Sequence, residues 1–241
     1  TGVNTTYKIN LTKSFNKFKL AFTQSTGLRN PTIYELYGNN GRTDSFKHVA
    51  NPDANPEKSK TNELKIKYSF NESLNFENTF YRSFIKDALL YNSSFNGGSG
   101  YTNSNSDLKQ DGIESNIVFK NNNHRLSIFN TVSSSKQEDA SHQLNRPNST
   151  YGINYNVHIK NSLFGPFEIN YNYKHYGKSF DYAPSVTKVD STDVMNLAVS
   201  KKINFGVISA NISNLLDETY QRPYGYSQNG RQLSFRFTSS F

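Results

Sequence analysis

The sequence predicts an all-β fold, an antiparallel up-and-down transmembrane β-barrel. Three observations carry that prediction. Apolar and polar residues alternate with period two from one end of the chain to the other, the pattern of strands with one apolar and one wet face. Each alternating run is about ten residues long, the length a tilted strand needs to cross a bilayer. The connections between runs are alternately minimal and long. A barrel with tight turns on one side of a membrane and long loops on the other has that asymmetry, and a soluble meander has no reason for it.

The strands follow in order. Tyr7, Ile9 and Leu11 alternate with Lys8, Asn10 and Thr12. Next come Phe18, Leu20, Phe22, and then Leu64, Ile66, Tyr68, Phe70. Leu74, Phe76 and Phe80 share a face, as do Ile113, Ile117 and Phe119, and then Leu126, Ile128 and Val132. The clearest run sets Tyr151, Ile153, Tyr155, Val157 and Ile159 against Gly152, Asn154, Asn156, His158 and Lys160. Phe167, Ile169, Tyr171 and Tyr173 follow, then Met195, Leu197 and Val199, then Ile208, Ala210 and Ile212. The chain closes on Leu233, Phe235, Phe237 and Phe241. This gives about eleven strands. Short connections are expected at 15–17, 71–73, 121–124, 161–166 and 201–204, and long ones near 25–60, 92–109, 137–150, 178–192 and 217–230.

Composition narrows the alternatives. Only 34% of residues are hydrophobic and the mean hydropathy is -0.74, too little apolar material for a conventional core of this length. Disorder is disfavoured because 14% of residues are aromatic. A barrel with a polar lumen satisfies both facts. No run approaches the roughly 18 apolar residues of a transmembrane helix. The net charge of +8 comes from scattered Lys and Arg without a compact basic cluster, so nucleic acid is not an expected partner. The N-terminus carries no initiator Met and no signal peptide, so a C-terminal piece of a longer protein, or a processed product, is expected.

Several stretches resemble the C-terminal half of the TonB-dependent outer-membrane receptor family. TQSTGLRNPTIYELYG at 23–38 is similar to a strand end and loop of that family. NPDANPEKSKTNELKIKYSF at 51–70 is similar to its NP-and-PE segment, with Pro52, Pro56, Glu57, Ser59 and Glu63 in register. Ala54 and Asn62 depart from the usual Leu and aromatic there. FYRSFIKDALLY at 80–91, DGIES at 111–115 and ISNLLDETYQRPYGYSQNGRQLSFRF at 212–237 resemble later motifs, with Leu216 in place of the usual Phe.

The resemblance implies that residues 1–241 are the C-terminal part of a barrel domain of 22 strands, without its plug and first strands. It implies import of a scarce large nutrient into a Gram-negative cell across the outer membrane. The implied partners are the TonB complex acting through the plug, outer-membrane lipid and lipopolysaccharide, and the barrel assembly machinery, for which Phe241 is the assembly signal. PYGYSQNGR at 223–231 is most similar to vitamin B12 (cobalamin) receptors. Ferric siderophore and haem receptors are the alternative, then a passive outer-membrane pore.

Candidate ligand-binding residues are the aromatic and Arg side chains of the long loops: Tyr34, Tyr37, Arg42, Tyr101, Arg146, Tyr182, Arg222, Tyr224 and Tyr226. Such groups bind organic ligands by stacking and by hydrogen bonds to anionic oxygens; they also serve as interface girdles and loop packing. His48, His124, His142, His158 and His175 lack metal-ligand spacing. Asp87, Asp111, Glu114 and Asp217 form no catalytic pair. Neither an enzyme nor a cofactor is expected. Asn214 and Asp217 are expected to bond backbone groups in a turn, and Gly38, Gly225 and Gly230 to permit positive φ. Expressed alone, such a half-barrel leaves two strand edges and a lipid-facing surface open, and aggregation or oligomerisation is expected.

Overall fold

The structure, a computed structural model, describes residues 4–44, 47–105, 107–136, 146–181 and 187–239. Its strands are β1 (Lys8–Phe15), β2 (Phe18–Arg29), β3 (Glu57–Ser69), β4 (Leu74–Lys86), β5 (Leu89–Phe95), β6 (Gly98–Asn103), β7 (Leu108–Lys120) and β8 (His124–Lys136). They continue as β9 (Ser149–Ile159), β10 (Phe167–Tyr176), β11 (Ser179–Asp181), β12 (Thr187–Val189), β13 (Thr192–Ile203), β14 (Gly206–Ser213) and β15 (Gln232–Thr238). One short helix, α1 (Ile33–Tyr37), lies between β2 and β3.

Eleven strands form one sheet in the order β1-β2-β3-β4-β7-β8-β9-β10-β13-β14-β15. Each pairs antiparallel with its neighbour in sequence, save for the two hairpins β5–β6 and β11–β12. Those hairpins are excursions from the long-loop end. All eleven alternating runs of the sequence are strands of this sheet.

Register turns the alternation into rows. Leu11, Phe22, Leu64, Phe80, Ile113 and Val132 are successive cross-strand partners. Leu126, Tyr155, Tyr171, Leu197, Ile212 and Leu233 form a second such row. The next row over, on the opposite face, is polar: Ser127, Asn154, Asn172 and Asn196. The apolar face has no protein layer over it. Leu11 is 64% exposed and Phe235 74%. The only fully buried apolar side chains among the described residues are Ala88, Leu89 and Val189, all at the long-loop end. A sheet that exposes its apolar face and keeps amides on the other suits a lipid exterior and a wet interior.

The short turns have local causes. Asn16 takes φ 49° in the two-residue turn between β1 and β2, a conformation Asn tolerates. Asn71 Oδ1 accepts from the backbone N–H of Ser73 at 2.9 Å and of Leu74 at 2.8 Å. Asn121 repeats the device, accepting from Asn123 at 2.9 Å and His124 at 2.8 Å. Both chains are thus reversed by an Asx turn.

Candidate functional site

The candidate site lies at the long-loop end, where two groups of loop residues assemble. The first is built on α1. Thr32 caps the helix with its side chain, and Glu35 returns a bond to the Thr32 N–H at 2.6 Å. This capping box satisfies two orphan donors of the first turn. The Glu35 carboxylate also takes Arg29 at 2.6 Å, and Arg29 lies 3.7 Å from Glu57. Burial pushes the Glu35 carboxyl up, but the Thr32 backbone and Arg29 hydrogen bonds outweigh it and hold it below the ordinary range. The helix is thereby fixed to the top of β2 and β3.

The rest of that loop is locked to the β5–β6 hairpin. Val49 N–H donates to Ser99 O at 2.6 Å and Ser99 N–H to Lys47 O at 2.9 Å. A Cβ on Gly98 would meet the Lys47 backbone, so that approach needs glycine. The lock brings Tyr34 and Tyr101 together around His48. The His48 and Tyr34 rings stack at 4.2 Å, and Tyr101 tilts against His48 at 6.1 Å. Tyr91 meets Tyr101 edge-on at 5.8 Å. His48 is 8% exposed. Sequence reasoning set it aside for want of metal spacing; the aromatic neighbours that bury it are far away in the chain.

The second group is built on the loop between β14 and β15. Asn214, with φ 50°, donates to Glu218 O at 2.9 Å and Asn229 O at 3.1 Å and accepts from Glu218 N–H at 3.0 Å. Asp217 accepts from Arg231 N–H at 2.7 Å. The expected turn roles of both residues are thus met. Gly225 has the expected positive φ of 82°. Gly38 does not: its φ is -67°, and glycine is required there because a Cβ would run into Tyr34. Nor is Gly230 among the positive-φ residues; a Cβ there would meet Asp217 Oδ1.

This loop carries Arg222 over the Tyr176 ring, 4.6 Å from its centroid. Arg222 Nη2 also donates to Gly177 O at 2.9 Å. Lys174 Nζ lies 4.6 Å from the same centroid, so two cations share one ring at the mouth. Alongside is a cavity of about 380 Å³ lined by Lys188, Asp190, Thr192, Glu218, Tyr220 and Tyr224. Lys188 pairs with Asp190 at 2.8 Å and holds its carboxyl below the usual range. Burial pushes the Tyr220 phenol up.

Of the residues singled out in the sequence, Tyr34 and Tyr101 thus fall in one group and Arg222 and Tyr224 in the other. Tyr37 and Tyr226 are 69% and 64% exposed. Arg42 pairs with Asp44 at 2.5 Å. Arg146 is exposed, with no ring contact or hydrogen bond to either group. Tyr182 and Phe241 lie outside the described residues, as does His142. No cluster of three or more metal-binding side chains occurs among the described residues.

A family model described as "TonB dependent receptor-like, beta-barrel" matches residues 1–215. The chain belongs to this family. It is accordingly an outer-membrane β-barrel protein of a Gram-negative bacterium. In a TonB-dependent receptor the apolar face described above meets lipid, the amide face meets the lumen, and the short turns lie on the periplasmic side. A search of curated proteins found no match.

Solved structures with the same fold include the pyoverdine outer membrane receptor FpvA from Pseudomonas aeruginosa PAO1, with a TM-score of 0.76 and 14% identity over 97% of this chain. The siderophore receptor PirA from Acinetobacter baumannii has a TM-score of 0.75 and 18% identity over 95%. The copper transporter OprC has 0.72 and 15% over 94%. At such identities the likeness is one of fold. The chain spans 36%, 40% and 38% of the lengths of these three proteins.

Proposed function

We propose that this chain forms eleven strands of the barrel of a TonB-dependent transporter that captures a large, scarce nutrient at the cell surface and passes it through the barrel. The observation that carries this reading is the pair of hydrogen-bonded loop groups at one end of a sheet with a polar inner face. The rest of the barrel and a plug engaged by the TonB complex belong to the remainder of the protein. Lipopolysaccharide surrounds it, and the barrel assembly machinery inserts it. The chemistry is binding and gating, with no bond made or broken.

The ligand class we favour is a ferric siderophore. Two cations on Tyr176 and the Tyr34–His48–Tyr101 cluster suit an anionic chelate with planar groups. FpvA is a pyoverdine receptor and PirA a siderophore receptor. Cobalamin is the second reading, supported only by the 223–231 stretch. Cells producing the full-length protein would be given iron-loaded siderophores and labelled cobalamin in competition, with and without TonB. TonB-dependent uptake of an iron chelate supports the proposal. Uptake of cobalamin alone replaces its ligand, and equal passage without TonB replaces it with a passive pore.

A further inference from the structure

The apolar face of β4, β7 and β8 carries a polar row in its midst. Asn78, Ser115 and Asn130 are successive cross-strand partners. Residues two apart share a face. The next row toward the long-loop end is therefore Phe80, Ile113 and Val132, and the next toward the short turns is Phe76, Ile117 and Ile128. The polar row thus lies inside the apolar band and not at its rim. Ser115 Oγ donates to Asn78 Oδ1 at 3.1 Å, which uses only the oxygen of that amide. Among the described residues the Asn130 side chain makes no hydrogen bond, and Asn130 is exposed.

Hydrocarbon satisfies none of these groups, so they gain from any neighbour that brings polar atoms to the same depth. Three features say which neighbour. An amide is both donor and acceptor, so the row is complementary to itself. All copies of a barrel sit in the membrane in one orientation, so a two-fold axis along the membrane normal sets each residue against its own depth in a second copy. Nearer the long loops the face is neutral, because Arg82 pairs with Asp111 at 2.5 Å, so meeting its copy brings no unpaired like charges together there. Between the polar row and this ion pair lies a groove of about 540 Å³, lined by Leu64, Phe80, Ile113 and Val132, which gives the face relief for projecting side chains. The row also stands near the middle of the eleven-stranded sheet, away from β1 and β15. Pairing through it leaves both strand edges free to close the barrel.

We propose that the outward face of β4, β7 and β8 is the interface of a homodimer within the membrane. The inference rests on the reading of the apolar face as the lipid face. The Asn130 amides of the two copies bond to each other, Asn78 and Ser115 flank them, and the apolar rows on either side pack around this contact.

The test uses the full-length protein, with any cysteine replaced by Ser. Single cysteines are introduced as Ile128→Cys, beside Asn130, and Val199→Cys on β13, and outer membranes are oxidised without extraction. Ile128→Cys should give a disulfide-linked dimer, and Val199→Cys at least ten times less. In lipid vesicles, single-molecule photobleaching over increasing dilution measures the dimer fraction. Asn130→Leu should weaken dimerisation at least tenfold, and Asn130→Gln should retain part of it. Asn130→Leu only places a better lipid-facing residue in the wall, so heat-modifiable gel migration should be unchanged. A wild type that is monomeric at every dilution overturns the proposal, as does equal cross-linking at 128 and 199 or unchanged dimerisation of Asn130→Leu. An Ile128→Cys adduct with a different protein replaces the second copy and overturns it too. A wild type lacking heat-modifiable migration would instead refute the barrel reading, a distinct failure.

Discussion

The Tyr81 ring lies directly over Gly112, its cross-strand partner on the lumen face. A Cβ on Gly112 would lie 2.2 Å from Tyr81 Cζ and 2.3 Å from its hydroxyl oxygen. Phe129 and Gly152 repeat the relationship on β8 and β9. Each aromatic covers the backbone that its glycine leaves bare, which ties adjacent strands together and pins their register.

Replacing Gly112 by Val should therefore displace Tyr81 and destabilise the folded barrel by about 1–3 kcal/mol, the usual cost of overpacking. The urea midpoint of the full-length protein, read from heat-modifiable migration, should fall. The matching Tyr81→Ala change should remove most of the penalty of the second substitution. Additive losses from the two changes would contradict the contact.

Acidification should loosen α1. The folded Glu35 carboxyl sits below its ordinary range, so the stability it contributes is present above the unfolded value. That stability is lost as pH falls through the lower folded value. Protection of amides 33–38, taken relative to their intrinsic exchange rates, should fall across that acidic window in the wild type. In Glu35→Gln that protection should be lower at neutral pH and nearly independent of pH.

His48→Ala should leave the strands unchanged and free the loop it holds. Loss of a buried stacked ring should cost about 1–2 kcal/mol of local stability. Limited proteolysis within 30–56 should quicken at least several-fold, while the urea midpoint of the barrel stays within error. Unchanged cleavage would show that the loop's hydrogen bonds, such as Lys47–Ser99, Val49–Ser99 and Asn51–Tyr101, hold it without the stacked ring.

Arg222→Ala should weaken capture of an anionic ligand about tenfold, since it removes one of two cations on Tyr176 together with the Gly177 bond. Arg222→Lys keeps the charge but not the planar fork, and should recover only part. Ligand titration of the full-length protein would reveal the order wild type, Lys, Ala; any other order argues against this group as the capture site.

What was legible in the sequence follows from the range of the forces involved. Strands such as β9 and turns such as Asn71 and Asn121 are set by neighbours within a few residues, and their pattern survives in one dimension. Asn214 and Asp217 were readable for the same reason. The β11–β12 hairpin and most of β5–β6 lie inside segments expected to be long loops, because no alternation long enough to span a bilayer marks them. His48 and the two-cation stack on Tyr176 depend on residues brought from elsewhere in the chain. Gly38 and Gly230 were expected to serve φ, whereas close approach of Tyr34 and Asp217 explains them.

The central claim is that these strands cross the outer membrane with one face to lipid. These 241 residues hold no Cys, so single cysteines can be placed at 195 through 199 on β13 once any Cys elsewhere in the full-length protein has been replaced by Ser. Spin labels on the full-length protein in outer membranes report oxygen access for lipid and nickel-chelate access for water. The account predicts strict alternation, with positions 195, 197 and 199 oxygen-accessible and 196 and 198 accessible to the water-soluble reagent. Uniform access along the run, or a repeat near three to four residues, would contradict it.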